Sequence, residues 1–126
     1  MSFIIPFNNN LSVMRHYITI TNKSDITIYP EILIKKYGKG NIKINNLSTG
    51  QVFKFNDIEN DELIYIDNDK EIITSNFLID NPGDRFNDQF LYLIRGVNTF
   101  QVDGDCNVRF RFRYKYLPHG GDFDDS

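Results

Sequence analysis

The chain has 126 residues, 40% of them apolar and 25% charged, with a formal net charge of -3. That suits one globular domain with a real core and is short for two, and the mild negative balance argues against a protein that lives on phosphate backbones. A lone cysteine, Cys106, excludes an internal disulfide and a C-x-x-C metal or redox site.

Alanine and tryptophan are absent, whereas Phe occurs 11 times and Tyr 7 times. Helical periodicity is lacking, and β-branched and aromatic residues dominate the apolar set, which favours strands. The start, Met1-Ser2-Phe3-Ile4-Ile5-Pro6, lacks the basic region and apolar run of a signal peptide. Phe3, Ile4, Ile5 and Phe7 precede a polar break at Asn8-Asn9-Asn10. This predicts an N-terminal arm over residues 1–12, a contact device outside the domain proper. Strand-like runs follow at residues 13–20, 26–36, 41–45, 52–55, 63–67, 71–79, 90–94, 98–102 and 107–117. Pro30, inside the second run, has no N–H to donate and predicts an edge or a bulge there. Gly38-Lys39-Gly40 and Ser48-Thr49-Gly50 supply turns, while Asp67-Asn68-Asp69 and Asp103-Gly104 read as tight hairpins. Residues 118–126, Pro-His-Gly-Gly-Asp-Phe-Asp-Asp-Ser, form a short acidic tail.

Eight or nine short strands with no helix to cover a sheet predict two sheets packed face to face. The expected fold is an all-β antiparallel sandwich of galectin-like or jelly-roll type over residues 13–117. No stretch approaches the roughly 20 apolar residues of a membrane span, and the expected compartment is the cytosol, or a larger particle assembled there.

The last run, Val108-Arg109-Phe110-Arg111-Phe112-Arg113-Tyr114-Lys115-Tyr116, alternates apolar or aromatic residues with cations. In a strand the two sets point to opposite faces. A single-strand nucleic-acid platform needs them on one surface. The expectation is therefore an aromatic face in the core, with Arg109, Arg111, Arg113 and Lys115 turned outward toward solvent or an acidic protein partner.

Other candidate sites have plainer readings. Asp103-Gly104-Asp105-Cys106-Asn107 begins like a calcium loop, but Val108 and Tyr114 stand where Gly and Glu are required; a hairpin turn is expected instead. His16 and His119 have no zinc spacing, and Cys106 is expected to be a structural thiol. Neither a nucleophile motif nor a phosphate-binding loop is present, so no catalytic residue, metal or cofactor is expected. For a sugar ligand, Tyr29, Tyr37 and Tyr92 are the candidate stacking aromatics.

Several segments, taken in order, carry a resemblance. They are Ile20-Thr21-Asn22 through Tyr29-Pro30-Glu31-Ile32, Gly40-Asn41-Ile42 through Ser48-Thr49-Gly50-Gln51, Leu63-Ile64-Tyr65-Ile66-Asp67, Gly96-Val97-Asn98-Thr99-Phe100, and Arg111-Phe112-Arg113-Tyr114-Lys115-Tyr116-Leu117. In this order they resemble the C-terminal, galectin-like domain of phage distal tail proteins, which link the tail tube to the baseplate. The likeness covers about residues 17–117. It implies a non-enzymatic virion component, present in multiple symmetric copies and acting through contacts with other tail or baseplate proteins. It departs from the family in that only about sixteen residues precede the first matching strand, so the ring-forming N-terminal domain is not carried over. The alternative is a carbohydrate-binding module on the same fold, recognising host surface glycans.

Overall fold

The computed structural model describes residues 2–5, 15–77 and 81–115. Nine strands run in chain order: β1 (Ser2–Ile5), β2 (Arg15–Asn22), β3 (Glu31–Lys36), β4 (Gly40–Asn46), β5 (Val52–Ile58), β6 (Leu63–Asp67), β7 (Ile72–Ser75), β8 (Gly96–Asp103) and β9 (Cys106–Arg113). A single 3-10 turn, Pro82–Arg85, is the one helical element among the described residues. One sheet has the order β1-β9-β3-β6-β7, the other β2-β8-β4-β5, and all pairings are antiparallel. The expected sandwich is therefore what the chain builds.

Alternation along each strand supplies the core. In β9, Val108, Phe110 and Phe112 are buried while Arg109, Arg111 and Arg113 are exposed. Ile32, Ile34, Ile64 and Ile66 join them from the five-stranded sheet, and Ile20, Ile42, Ile44, Phe53, Phe55 and Phe100 come from the other. The rings of Phe100 and Phe110 meet between the sheets at 5.0 Å. Each such fully buried side chain is worth about 1.5–3 kcal/mol of transfer free energy.

Five departures from the sequence reading have physical causes. The segment expected as an arm contributes, over Ser2–Ile5, an edge strand on β9, with Phe3 opposite Phe112 and Ile5 opposite Phe110. The run holding Pro30 becomes a strand only at Glu31. β3 lies between β9 and β6, and a central strand needs the N–H that Pro30 lacks. The Pro30 carbonyl instead accepts from Asn68 N and Nδ2, at 3.2 and 2.6 Å. β5 runs past the expected end to Ile58 through a bulge. Asn56 and Asp57 are both exposed, Asp57 has φ 55°, and Ile58 returns to the core. The alternation breaks there, which is why the strand looked finished at Phe55.

The fourth departure is topological. Asp103-Gly104 is not a hairpin turn, because β8 and β9 belong to different sheets. The Asp-Gly signal marks a tight turn, and here the turn carries the chain across the sandwich. Gly104 has φ 120°, and a Cβ on it would stand 2.7 Å from the Asn41 carbonyl oxygen. The turn at residues 37–39 also crosses between sheets, from β3 to β4. These two crossings lie side by side: Tyr37 N donates to Asp105 O at 2.9 Å. Between them Lys36, 3% exposed, donates from Nζ to the carbonyls of Tyr37, Gly38 and Asp105 at 3.0–3.3 Å. The expected hairpins at residues 48–50 and 67–69 do form, joining β4 to β5 and β6 to β7.

The run expected as a strand over residues 90–94 is not a ladder strand. It makes one bridge, Leu93 to Ile28, yet Leu91 and Leu93 are fully buried. Gln51 Nε2 donates to the Phe90 carbonyl, and four buried asparagines make the other side-chain contacts to its backbone. Leu91 N donates to Asn68 Oδ1 (2.9 Å), Tyr92 O accepts from Asn46 (3.3 Å), and Leu93 O accepts from Asn22 (3.1 Å). Asn98 takes both ends of Ile94, accepting from its N–H and donating to its carbonyl at 2.9 Å each. Buried backbone groups must be paired, and these side chains replace a missing neighbouring strand.

Candidate docking face

β9 turns Arg109, Arg111 and Arg113 onto the outer face of the five-stranded sheet, and Lys115 is exposed just beyond it. The register sets β3 and β6 beside them. Arg111 lies opposite Glu31 and Arg109 opposite Leu33, while Tyr65 lies opposite Leu33 and Asp67 opposite Glu31. The face is thus a cationic strand flanked by an apolar and acidic one.

The cations are not equivalent. Arg111 makes a two-point pair with Glu31, Nε to Oε2 at 3.0 Å and Nη2 to Oε1 at 2.5 Å. Tyr65 donates its hydroxyl to the same Oε1 at 2.5 Å. The Arg111 guanidinium holds the Glu31 carboxyl below its ordinary pKa. Burial, and donation to Glu31, push the Tyr65 hydroxyl up to about 12. Arg111 is therefore internally neutralised, whereas Arg109 has no ion-pair partner among the described residues.

Between these groups lies a shallow depression of about 200 Å³ lined by Glu31, Ile32, Leu33, Tyr65, Arg109 and Arg111. A second, of about 290 Å³, shares Leu33 and Arg109 and continues toward Lys35, Leu63 and Asn107. Together they form a groove along β3 with an apolar side (Leu33, Leu63, Tyr65) and a cationic side. At the far end of β9 a wider hollow of about 420 Å³ includes Tyr29, Asp67, Lys70, Arg113 and Lys115.

Of the apolar N-terminal residues, β1 places Ile4 opposite Arg111 at the edge of this sheet; Phe7 lies outside the described residues. Among the tyrosines, Tyr29 is 48% exposed and its ring lies 6.1 Å from that of Tyr92. Tyr37 stacks under the Lys35 ammonium at 5.8 Å. Cys106 is 1% exposed, and burial raises its thiol to about 12, so it is an inert core group. His16 has its pKa lowered, chiefly by burial. His119 and the acidic tail lie outside the described residues. Among the described residues no cluster of three or more His, Cys, Asp or Glu is placed to hold a metal ion.

Reading β9 alone missed Glu31, Leu33 and Tyr65. The alternation Glu31-x-Leu33-x-Lys35 puts these three on one strand face, but only the register reveals that this face borders the arginines. It also brings Tyr65 onto the cationic face. The carboxylates Glu31 and Asp67 interleave there, unlike a phosphate-tracking strip.

A family described as "Phage tail C-terminal domain" matches residues 5–112. The chain belongs to this family. The resemblance drawn from the ordered motifs is thus borne out, and the motif residues have a physical meaning. Asn22, Asn46 and Asn98 are buried amides that hold residues 92–94, and Gly96 takes φ 93°. The chain is also 36% identical over 101 residues to the SPbeta prophage-derived uncharacterized protein YomH of Bacillus subtilis (strain 168). That match covers 79% of this chain but 40% of the relative's length. No solved structure matches the chain.

Proposed function

We propose that this phage tail domain is a non-enzymatic assembly module, present in several copies in the virion. It joins neighbouring tail or baseplate subunits through the outer face of its five-stranded sheet. The observation that carries the reading is the contrast between Arg111, already paired with Glu31, and Arg109, a cation beside an apolar groove with no ion-pair partner among the described residues. Such a surface fits an acidic protein partner that also brings apolar side chains. Many copies held by symmetry sum individually weak contacts. Particle assembly would take place in the host bacterial cytoplasm.

The test is incorporation into particles. An Arg109→Glu variant should fold normally yet enter particles poorly, and high salt should weaken incorporation of the unaltered protein. Equal incorporation of variant and wild type at low salt overturns the docking role.

One observation favours the second reading, recognition of host surface glycans. Tyr29 is a half-exposed ring beside a hollow containing both carboxylates and cations. Aromatic faces with polar neighbours suit a sugar ring. Glycan-array signal that disappears in Tyr29→Ala supports it, and an array without signal removes it.

A further inference from the structure

We propose that β2 pairs edge to edge, antiparallel, with β2 of a second copy of this chain, about a two-fold axis at Thr19. The contact lies on the four-stranded sheet and does not depend on the docking face proposed above. It gives copies of the domain a contact of their own. Three observations converge.

The first is the contrast between sheet edges. An open edge strand is a template for another strand, and proteins blunt their edges with shortness, charge, proline or bulges. β1 and β7 are four residues long. β5 carries the bulge at Asp57 and is capped by Asn87, whose N–H donates to the Lys54 carbonyl and whose Oδ1 accepts from Lys54 N, both at 3.1 Å. β2 has none of these devices. It runs for eight residues in unbroken register with β8. Residues 16–22 include no Asp, Glu, Lys, Arg, Gly or Pro. Its other edge meets no strand among the described residues.

The second is the direction of the backbone groups. Thr99, opposite Thr19, turns away from β2: its carbonyl accepts from Leu47 N at 2.8 Å, and its N–H donates to Ser48 Oγ at 3.2 Å. In an antiparallel ladder such a pair exchanges no backbone bonds, and the same holds at every second residue. Tyr17, Thr19 and Thr21 therefore aim their N–H and C=O groups out of the sheet edge, spaced evenly about Thr19. The Thr21 carbonyl has one long contact, 3.4 Å from the Tyr114 hydroxyl, and keeps its second lone pair. A second β2 turned half a revolution about Thr19 meets these groups in register. Thr19 then faces its own copy, and Tyr17 faces Thr21 of the second copy, each pair exchanging both bonds.

The third is what this register does with side chains. Tyr17 and Val97, on the outer face of the sheet, are 58% and 56% exposed. Val97 lies opposite Thr21, so the pairing sets Val97, Thr21 and Tyr17 of the second copy in one row. Two strand spacings, roughly 10 Å, separate the ends of that row, and Thr21 is small enough for the tyrosine ring to lean across it toward Val97. The axis repeats the row, so each copy covers the exposed apolar groups of the other. On the inner side Ile18, 6% exposed at the open edge, comes opposite Ile20 of the second copy. Residues 16–22 bring no like charges together across the seam, because they contain no acidic residue, lysine or arginine.

A contact of this symmetry closes at two copies. Sedimentation of the full-length protein should show a mass that rises with concentration to that of a dimer and no further. Thr19→Lys sets like charges face to face on the axis. Because Thr19 is exposed, this variant should melt close to wild type yet stay monomeric where wild type dimerises. Thr19→Cys reads the register directly. The paired Cα atoms would stand about 5.5 Å apart, within disulfide range, and Cys106, 1% exposed, does not compete. Under mild oxidation Thr19→Cys should form a disulfide dimer about tenfold faster than Lys43→Cys, on the same sheet away from the edge, because pairing concentrates the two thiols. A monomer at every concentration, with Thr19→Cys no faster than Lys43→Cys, overturns the proposal. A dimer that Thr19→Lys leaves intact, or an assembly that grows past two copies, overturns it as well. Arg109→Glu should leave dimerisation unchanged, so failure of this contact and failure of the five-stranded docking face are read separately.

Discussion

Phe110 and Arg111 are adjacent in sequence and opposite in fate. Phe110 is fully buried against Phe100, while Arg111 is 49% exposed and bound to Glu31. Truncating Phe110→Ala should cost about 3–5 kcal/mol, read as a lowered denaturation midpoint with an unchanged denaturant slope. Arg111→Gln should change stability by less than about 1 kcal/mol, since exposed pairs contribute little. Glu62 is a different case. It is fully buried and takes two hydrogen bonds from Arg85, at 3.0 and 2.7 Å, with others from Ser75 Oγ and Glu59 N. Burial pushes its pKa up, but these donors outweigh burial and hold it below the ordinary value of 4.5. A carboxylate whose folded pKa is depressed stabilises the fold above its unfolded pKa. That contribution fades as pH falls through the lower, folded value. Thermal melts should therefore show an acid-labile component below about pH 4.5 that Glu62→Gln removes. The same variant should lose about 3–5 kcal/mol at neutral pH, because it breaks the charge pair that the fully buried Glu62 makes with Arg85.

Among the elements, residues 90–94 lack a neighbouring strand on which to pair, and their backbone depends on Asn22, Asn46, Asn68 and Asn98. Asn98→Leu keeps a similar volume but strands both polar groups of Ile94. It should cost about 2–4 kcal/mol, from roughly 1–3 per unpaired buried group. Hydrogen exchange should show the loss first at Ile94. β1 offers a second check. Its pairing with β9 is the element's visible anchor, and it lies at the sheet edge. Removing residues 2–7 should leave a folded domain that no longer enters particles, if the free edge of β1 is where a neighbour binds. Unfolding on removal would instead make β1 an indispensable core strand. Gly104→Ala tests the crossing turn: with φ 120° and the Asn41 carbonyl at 2.7 Å, a loss of about 1–3 kcal/mol is expected.

For the whole molecule, the two sheets differ in what they present outward. The five-stranded sheet carries Arg109, Arg111, Arg113, Glu31 and Lys35, whereas much of the four-stranded sheet shows Tyr17, Thr19, Thr21, Val97 and Thr99. That sheet also exposes Lys43 and Lys54, but the denser row of charges lies on the five-stranded side, where the proposed docking face would be steered. Assembly with tail partners should slow as ionic strength rises, and a charge-reversing change on the five-stranded face should mimic that slowing. Lys43→Glu, on the other sheet, should leave association rates at different salt concentrations close to wild type.

Period-two alternation determined a great deal by itself. It set which residues of β9 enter the core, since each side chain's face follows from its parity in the strand. Together with the scarcity of helix formers it specified the sandwich, and the ordered motifs specified the family. Turn chemistry was legible only as turns: Asp103-Gly104 says that the chain reverses sharply, not whether the next strand joins the same sheet. That choice belongs to the tertiary structure, because partners distant in sequence decide where β9 pairs, and β3 and β1 claim both its edges. For the same reason the candidate site was half visible. Arg109 and Arg111 look alike along the chain, and only the register, which sets Leu33 beside the first and Glu31 beside the second, leaves Arg109 without an ion-pair partner among the described residues and neutralises Arg111.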